Sequence, residues 1–306
     1  VTTKLKKGFL GNSIVFIFLD GLGIGVSDSH VNPIARLKKE IFPHGEDQLW
    51  SLPFDGIARR VDAQLGMPGL PQSATGQTTL FTGRNAAQAI GRHLPGFPTP
   101  TLKQIIHESS IFRRISDLGG RVTFANCYSP GFFRKPPRWV SVTTSMCQSS
   151  GTPFRTIKDL EEGKGLFFDF TNEILRARGM QVELFSPFRS AGVLAYLTGE
   201  FDFCLYENFV PDLIGHRLGM AEAYSHLIQL EEFLVSLLEV VDLGRVSVLV
   251  TSDHGNLEDM TNGTHTSNPV PCMVWGPLCQ EFKNLEERLS LCDITPKIVR
   301  FLENLD

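Results

Sequence analysis

The sequence predicts an α/β fold of three layers, an α/β/α sandwich in which a mostly parallel central sheet lies between two layers of helices. Two observations carry this. Continuous apolar runs, the mark of strands buried on both faces, recur at 13–19, 121–126, 201–207 and 246–251. Between them lie stretches of helical periodicity, such as 221–241, and strands alternating with helices build parallel sheets covered on both sides. At 306 residues and 42% hydrophobic, the chain can bury a sizeable core, so 1–306 is expected to form one domain with a small cap-like insertion at 129–195.

The first strand is SIVFIFL, Ser13–Leu19, and it stops at Asp20, which is followed by Gly21-Leu22-Gly23-Ile24-Gly25. Lys4, Lys6 and Lys7 ahead of this run imitate a secretory leader, but no small-residue cleavage site follows, and the strand reading is preferred. The glycines also imitate a dinucleotide loop. That fingerprint needs a sixth-position Gly, where this chain has Val26, and Asp20 would repel a pyrophosphate.

Next comes GLPQSATGQTTLFTGRN at 69–85, where Gly69 and Pro71 break the chain and Ser73 stands at the start of a helix running to about Phe81. A Ser there is ordinarily a cap. Beside a divalent cation, however, the same position favours an alkoxide and an incoming phosphoryl oxygen. The segment 129–195 is rich in Pro, Gly and Ser, then helical near 169–178. Its FFRKPPRW run at 132–139 sets Arg134, Lys135 and Arg138 among aromatics, either as a solvated basic loop or as a clamp on a substrate anion.

The strand at 201–207 leads into Asp212 and, four residues on, His216, which share a face if the segment is helical. The last strand, Val246–Val250, runs into SDHGNLEDMTNGTHTSNPVP, 252–271, which packs Asp253, His254 and His265 into one loop that Gly255 and Gly263 allow to turn back. Oxygen and nitrogen donors held at the end of a rigid strand are what borderline divalent metals require. Thr295 and Pro296 are expected to cap and begin a terminal helix ending near Leu302.

Composition excludes some partners. A net charge of −4 argues against non-specific nucleic-acid binding, and no run is apolar enough to span a bilayer. The six cysteines lack CxxC spacing, which points to reduced structural thiols and a cytoplasmic setting. Of the histidines outside these motifs, His30, His44, His107 and His226 are expected at the surface or in packing, while His93, following the Ser73 segment in IGRHLPG, is a candidate for substrate binding.

Four motifs together, TSDHGN at 251–256, THTSNPVP at 264–271, NFVPDLIGH at 208–216 and QSATGQTTLFTGR at 72–84, with LDGLGIG at 19–25, resemble the alkaline-phosphatase superfamily. Within it they are most similar to the branch of cofactor-independent phosphoglycerate mutase and phosphopentomutase. The resemblance implies an alkaline-phosphatase-like fold with two divalent ions, Mn²⁺ or Zn²⁺ with Mg²⁺ possible. Asp20, Ser73, Asp253 and His254 would hold one ion, and Asp212, His216 and His265 the other. Ser73 would be the nucleophile, forming a phosphoserine, with Thr75 its rival because a Thr serves in part of the branch.

The implied activity is that of a phosphatase or phosphotransferase on a small phosphorylated metabolite. The mutases' long insertion has no room between Arg84 and the strand at 201, so a phosphomutase is the alternative reading. A sulfatase is not expected, since the Cys/Ser-x-Pro-x-Arg motif is missing around Ser73. A catalytically silent, metal-stabilised binding protein would lack a ligand or the nucleophile, and all seven positions are filled.

Overall fold

A computed structural model describes residues 11–38, 41–217 and 219–304; the lysine cluster Lys4, Lys6 and Lys7 lies outside them. Ten strands occur among the described residues: β1 (Ser13–Leu19), β2 (Leu49–Leu52), β3 (Gly56–Asp62), β4 (Val122–Phe124), β5 (Cys127–Tyr128), β6 (Arg155–Thr156), β7 (Phe203–Asn208), β8 (Val246–Thr251), β9 (Val270–Trp275) and β10 (Leu289–Ser290). Eight of them form one sheet in the order β10-β3-β9-β8-β1-β7-β4, with β2 added against β3. The run β8-β1-β7-β4 is parallel, whereas β9 pairs antiparallel with β8 and with β3.

The centre of this sheet follows from the apolar runs. β1 is buried along its whole length, and its side chains alternate between the two faces as the two-residue period of a strand demands. Val15, Ile17 and Leu19 meet the helices Pro187–Thr198 and Met220–Val240 on one face. Ile14, Phe16 and Phe18 meet the helices Ser73–Thr82, Val142–Ser150 and Leu291–Glu303 on the other. Phe81 lies 5.6 Å from Phe16 and 5.4 Å from Phe18, ring centre to ring centre, and so fixes the Ser73 helix to the central strand. The expected three-layer α/β/α architecture is the one observed.

β1 and β8 end where the apolar runs end. β4 is shorter than the expected 121–126, and β7 lies one or two residues beyond 201–207. The helix from 220 to 240 carries the chain from β7 to β8, which lie on opposite sides of β1. The terminal helix is a correction. It begins at Leu291 rather than at Pro296, because Ser290 and Asp293 form a capping box in which the Asp293 carboxylate accepts from the Ser290 N–H at 2.7 Å. Pro296 is accommodated inside that helix, and Thr295 donates its hydroxyl to the Leu80 carbonyl at 2.7 Å instead of capping.

Residues 129–195 divide among several places. The helix Val142–Ser150 joins one helical layer and Pro187–Thr198 the other. The intervening chain continues from the end of β4 through the β5–β6 pair and an Asn126–Leu166 bridge. All six cysteines are free, and burial pushes the Cys204 thiol up to about 12, so it stays a neutral core group. No helix among the described residues is long and apolar enough to cross a membrane.

The packing gives a direct test. Phe16 is fully buried between Phe81 and Phe203, so Phe16→Ala should cost about 3–5 kcal/mol of stability. Urea unfolding followed by circular dichroism should show the midpoint falling with the slope unchanged; a loss under about 1 kcal/mol would mean that this contact does not anchor the helix.

Candidate metal centre

One edge of the sheet collects the chemistry. Asp20 follows the C-terminal end of β1, Asp212 follows that of β7, and Asp253 and His254 follow that of β8. His265 reaches the same edge because β9 runs antiparallel to β8, so the loop joining them returns there, pinned by a Gly255–Thr266 bridge. In parallel α/β sheets this edge is where ligands bind, since several chain segments end there and free their side chains.

Glycines admit the close approaches. Gly21 takes a left-handed φ of 74°, and a Cβ there would come within 2.7 Å of Asp212 Oδ1. Gly76, on the buried face of the Ser73 helix, lets that helix close on the Asp253 backbone, where a Cβ would meet the carbonyl oxygen at 2.8 Å. Any larger residue would push the nucleophile candidate and the ligand candidates apart.

His216 Nδ1 lies 2.8 Å from the Gly263 carbonyl and His265 Nδ1 lies 2.9 Å from the Pro71 carbonyl. A carbonyl can only accept, so both Nδ1 atoms carry a proton, and in the neutral rings both Nε2 atoms present lone pairs. Those Nε2 atoms are 3.1 Å apart and lie 3.4 Å and 3.5 Å from Asp212 Oδ1. Three acceptors converging on one point with no donor among them match a cation's requirement.

The second group adjoins it. His254 Nε2 lies 3.3 Å from Asp20 Oδ1, 3.6 Å from Asp253 Oδ2 and 3.1 Å from Ser73 Oγ. Asp20 and Asp253 each keep one buried carboxylate oxygen without a hydrogen-bond partner. Asp212 belongs to both groups of converging atoms, and the His254 and His265 rings stack at 3.7 Å. The residues therefore fit divalent ions, and the mixture of carboxylate and imidazole suits borderline metals.

Electrostatics agree with the geometry. Burial, followed by the Asp20 charge, raises the Asp253 carboxyl well above the ordinary range. Burial opposes a charged His254, but Asp253 and Asp20 outweigh it and lift its pKa to about 10. Burial, then neighbouring His254, lowers the pKa of His265. A proton on His254 thus neutralises part of the acidic cluster in the metal-free protein.

Ser73 is the first residue of its helix, behind Gln72 as the N-cap, and its half-buried hydroxyl faces His254 rather than capping. Thr75 is fully buried and faces away. Its hydroxyl donates to the Gln72 carbonyl and accepts from the Leu94 N–H, both at 3.2 Å. His93 sits beside this turn, half-buried, with neither ring nitrogen partnered. Arg134, Lys135 and Arg138 are exposed, and Arg138 lies over the Trp139 ring at 5.2 Å. Of the remaining histidines, His30 and His107 are exposed, His44 meets Ser27, and His226 is buried near Phe170.

Three supporting residues were not anticipated. Asn256 donates to Asp212 Oδ1 at 2.7 Å, and Gln77 donates to Asp253 Oδ2 at 3.2 Å. Glu258, fully buried, accepts from the Gly23 and Asn256 N–H groups at 2.8 Å each and from the Thr266 hydroxyl, tying the loop after β8 to the loop after β1. Asn256 stands in the quoted TSDHGN motif and was within reach; nothing in the sequence distinguishes buried Glu258 from half-buried Asp259.

Comparison with known proteins bears on this arrangement. The Metalloenzyme superfamily model matches residues 188–304, which hold the segments after β7 and β8. The resemblance to alkaline-phosphatase-like metalloenzymes holds. Across 115 residues the chain is 32% identical to 2,3-bisphosphoglycerate-independent phosphoglycerate mutase 1 of Methanosarcina barkeri (strain Fusaro / DSM 804), a match covering 35% of this chain and 21% of that protein. The match thus spans about a fifth of that relative's length. In structure the chain is similar to the PH0037 protein of Pyrococcus horikoshii, with TM-score 0.58, 14% identity and coverage of 97% and 98%. It is also similar to the alkaline phosphatase of the Antarctic bacterium TAB5, with TM-score 0.54, 12% identity and coverage of 96% and 98%. Both structural likenesses speak to the fold.

The cluster predicts proton-linked metal binding. Because, against the effect of burial, Asp253 and Asp20 raise the His254 pKa, titration with Mn²⁺ or Zn²⁺ should release about one proton near neutral pH, and apparent affinity should rise with pH there. Calorimetry in buffers of different ionisation enthalpy measures the number; binding without proton release would contradict the assignment.

Proposed function

We propose that the protein is a two-metal phosphatase or phosphotransferase that acts on a small phosphomonoester through phospho-Ser73. The observation that carries the reading is the Ser73 hydroxyl 3.1 Å from His254 Nε2, beside two donor groups that share Asp212. In this reading Asp20, Asp253, His254 and Ser73 hold one ion, and Asp212, His216 and His265 hold the other, with Mn²⁺ or Zn²⁺ the best match to the donors. Bound there, the ions supply charge neutralisation and make a serine hydroxyl and a water better nucleophiles.

The chain's own residues then have defined tasks. Ser73 Oγ attacks phosphorus and takes up the phosphoryl group while the ester oxygen leaves with the organic product. The start of the Ser73 helix, the positive end of its dipole, faces the incoming phosphoryl oxygens. Asn256 and Gln77 hold Asp212 and Asp253 in orientation. Water then releases phosphate from Ser73, or a second hydroxyl accepts it. Phosphoryl transfer demands chiefly positioning and charge neutralisation, which is what this edge of the sheet offers. A small phosphorylated metabolite as substrate and a cytoplasmic setting complete the proposal.

Ser73→Ala should reduce turnover of 4-nitrophenyl phosphate by at least about a thousandfold, since the covalent route is lost, while stability stays within about 1 kcal/mol. Mass spectrometry of quenched wild-type enzyme should find phosphate on Ser73. Unchanged turnover in the variant, or phosphate on Thr75, would overturn the nucleophile assignment. Release of inorganic phosphate marks a hydrolase, whereas constant organic phosphate marks a phosphomutase.

A further inference from the structure

On the same edge of the sheet, one strand beyond the metal cluster, lies a cavity of about 200 Å³. Its position is fixed by β7. Glu207, which lines it, pairs in register with Phe18, two residues before Asp20; Phe209, which also lines it, stands three residues before Asp212. Adjacent strands are about 4.8 Å apart, so the cavity lies about one strand spacing along this edge from the segments that carry Asp20 and Asp212.

The walls are aromatic: Phe124, Tyr128, Phe132, Phe167, Phe168 and Phe209. Exposed Arg178 lies at about 6 Å from the Phe167 and Phe168 rings and also lines the cavity. Drug-sized ligands occupy roughly 300 Å³ or more, so this volume suits one small flat group rather than a lipid chain or an oligosaccharide. Flat walls of this kind favour stacking or edge-to-face contact with another ring.

The polar groups narrow the choice. Asn126 uses its amide on the Glu207 backbone in both directions, at 2.7 Å and 2.9 Å, and the Tyr128 hydroxyl is paired with Thr144 at 2.8 Å. Glu207, 1% exposed, accepts from the Thr143 hydroxyl through Oε2, but its Oε1 is buried without a partner. Burial, joined by the Asp20 charge, raises the Glu207 carboxyl well above the ordinary carboxylate range, so the wall offers a buried polar group able to give or take one hydrogen bond, and the fitting ligand brings a polar partner for it.

Building on the phosphoryl-transfer reading above, we propose that this cavity receives the organic end of the substrate, a flat aromatic or heteroaromatic ring with a polar, hydrogen-bonding group on its edge. The substrate class is then a ring-bearing phosphomonoester, and Glu207 is a specificity-determining residue outside the reacting centre.

The test compares phenyl phosphate, 4-aminophenyl phosphate and glycerol 3-phosphate with metal-loaded enzyme. Wild type should prefer phenyl phosphate to glycerol 3-phosphate by about tenfold or more in kcat/KM, and the amino derivative over phenyl phosphate. Ser129→Trp fills the cavity from a residue whose side chain caps nothing, and it should collapse the first preference. Glu207→Leu, which keeps the volume but removes the polar group, should collapse the second. Phe132→Ala, at a half-buried position, should weaken the first preference should the tryptophan variant not fold. Calorimetry with phenylphosphonate and methylphosphonate on Ser73→Ala protein reads the cavity without turnover. Tighter phenylphosphonate binding that Ser129→Trp removes supports the proposal even if no phosphate is ever transferred. Absence of any ring preference in wild type, or its survival in folded Ser129→Trp, would overturn it.

Discussion

The rest of the structure depends on acceptor groups being held together against their own repulsion. Asp20, Asp212 and Asp253 crowd three imidazoles at the end of a buried sheet. Two like charges about 4 Å apart repel by roughly 4 kcal/mol at the effective dielectric near a protein surface. In the metal-free state a proton on His254 relieves part of this load. The orientation of His216 and His265, each fixed by a backbone carbonyl, turns both Nε2 atoms toward Asp212 Oδ1, where Asn256 supplies one donor. An arrangement of this kind is a cost to the fold until cations occupy it, and such local cost is expected at functional sites.

The scaffold that bears this cost is the parallel run β8-β1-β7. Its strands are buried along their lengths, and Phe16, Phe18 and Phe81 lock the Ser73 helix onto β1. Because Asp20, Asp212, Asp253, His254 and His265 lie within a few residues of a strand end or in a loop tied back by Glu258, little backbone freedom remains. The nucleophile candidate arrives from a different layer, carried by a helix that Gly76 allows to sit against Asp253. Preorganisation is thus distributed over both faces of the sheet, and the cavity along β7 lies on the same edge.

How much of this was legible in the sequence differs by element. β1 and β8 were readable to the residue because strands buried on both faces are uniformly apolar and end abruptly at Asp20 and Ser252. β9, antiparallel and next to the centre, begins at the tail of the 252–271 motif and escaped notice, since VPCMVW carries a proline and no alternation. The strands β2 and β3 escaped because their polar positions blur the period. At the terminal helix, Thr295-Pro296 was the more conspicuous start signal, yet the Ser290–Asp293 capping box determined the start. For the site, residue type and position marked Asp20, Asp212, His216, Asp253, His254 and His265 as metal-ligand types, and the family resemblance grouped them with Ser73 into two sets; Asn256, Gln77 and Glu258 act through hydrogen bonds that only the folded chain brings together. Arg178 and Glu207 are ordinary charges in sequence and acquire meaning only from the cavity they line.

The central claim is that the converging acceptors hold two cations that share Asp212. Anomalous X-ray diffraction from crystals loaded separately with Mn²⁺ and Zn²⁺ tests it most directly. The account predicts two peaks roughly 4 Å apart, one by Asp20, Asp253 and His254 and the other by His216 and His265, with Asp212 near both. A single peak, or peaks elsewhere on the molecule with the cluster still closed on its protons, would contradict it.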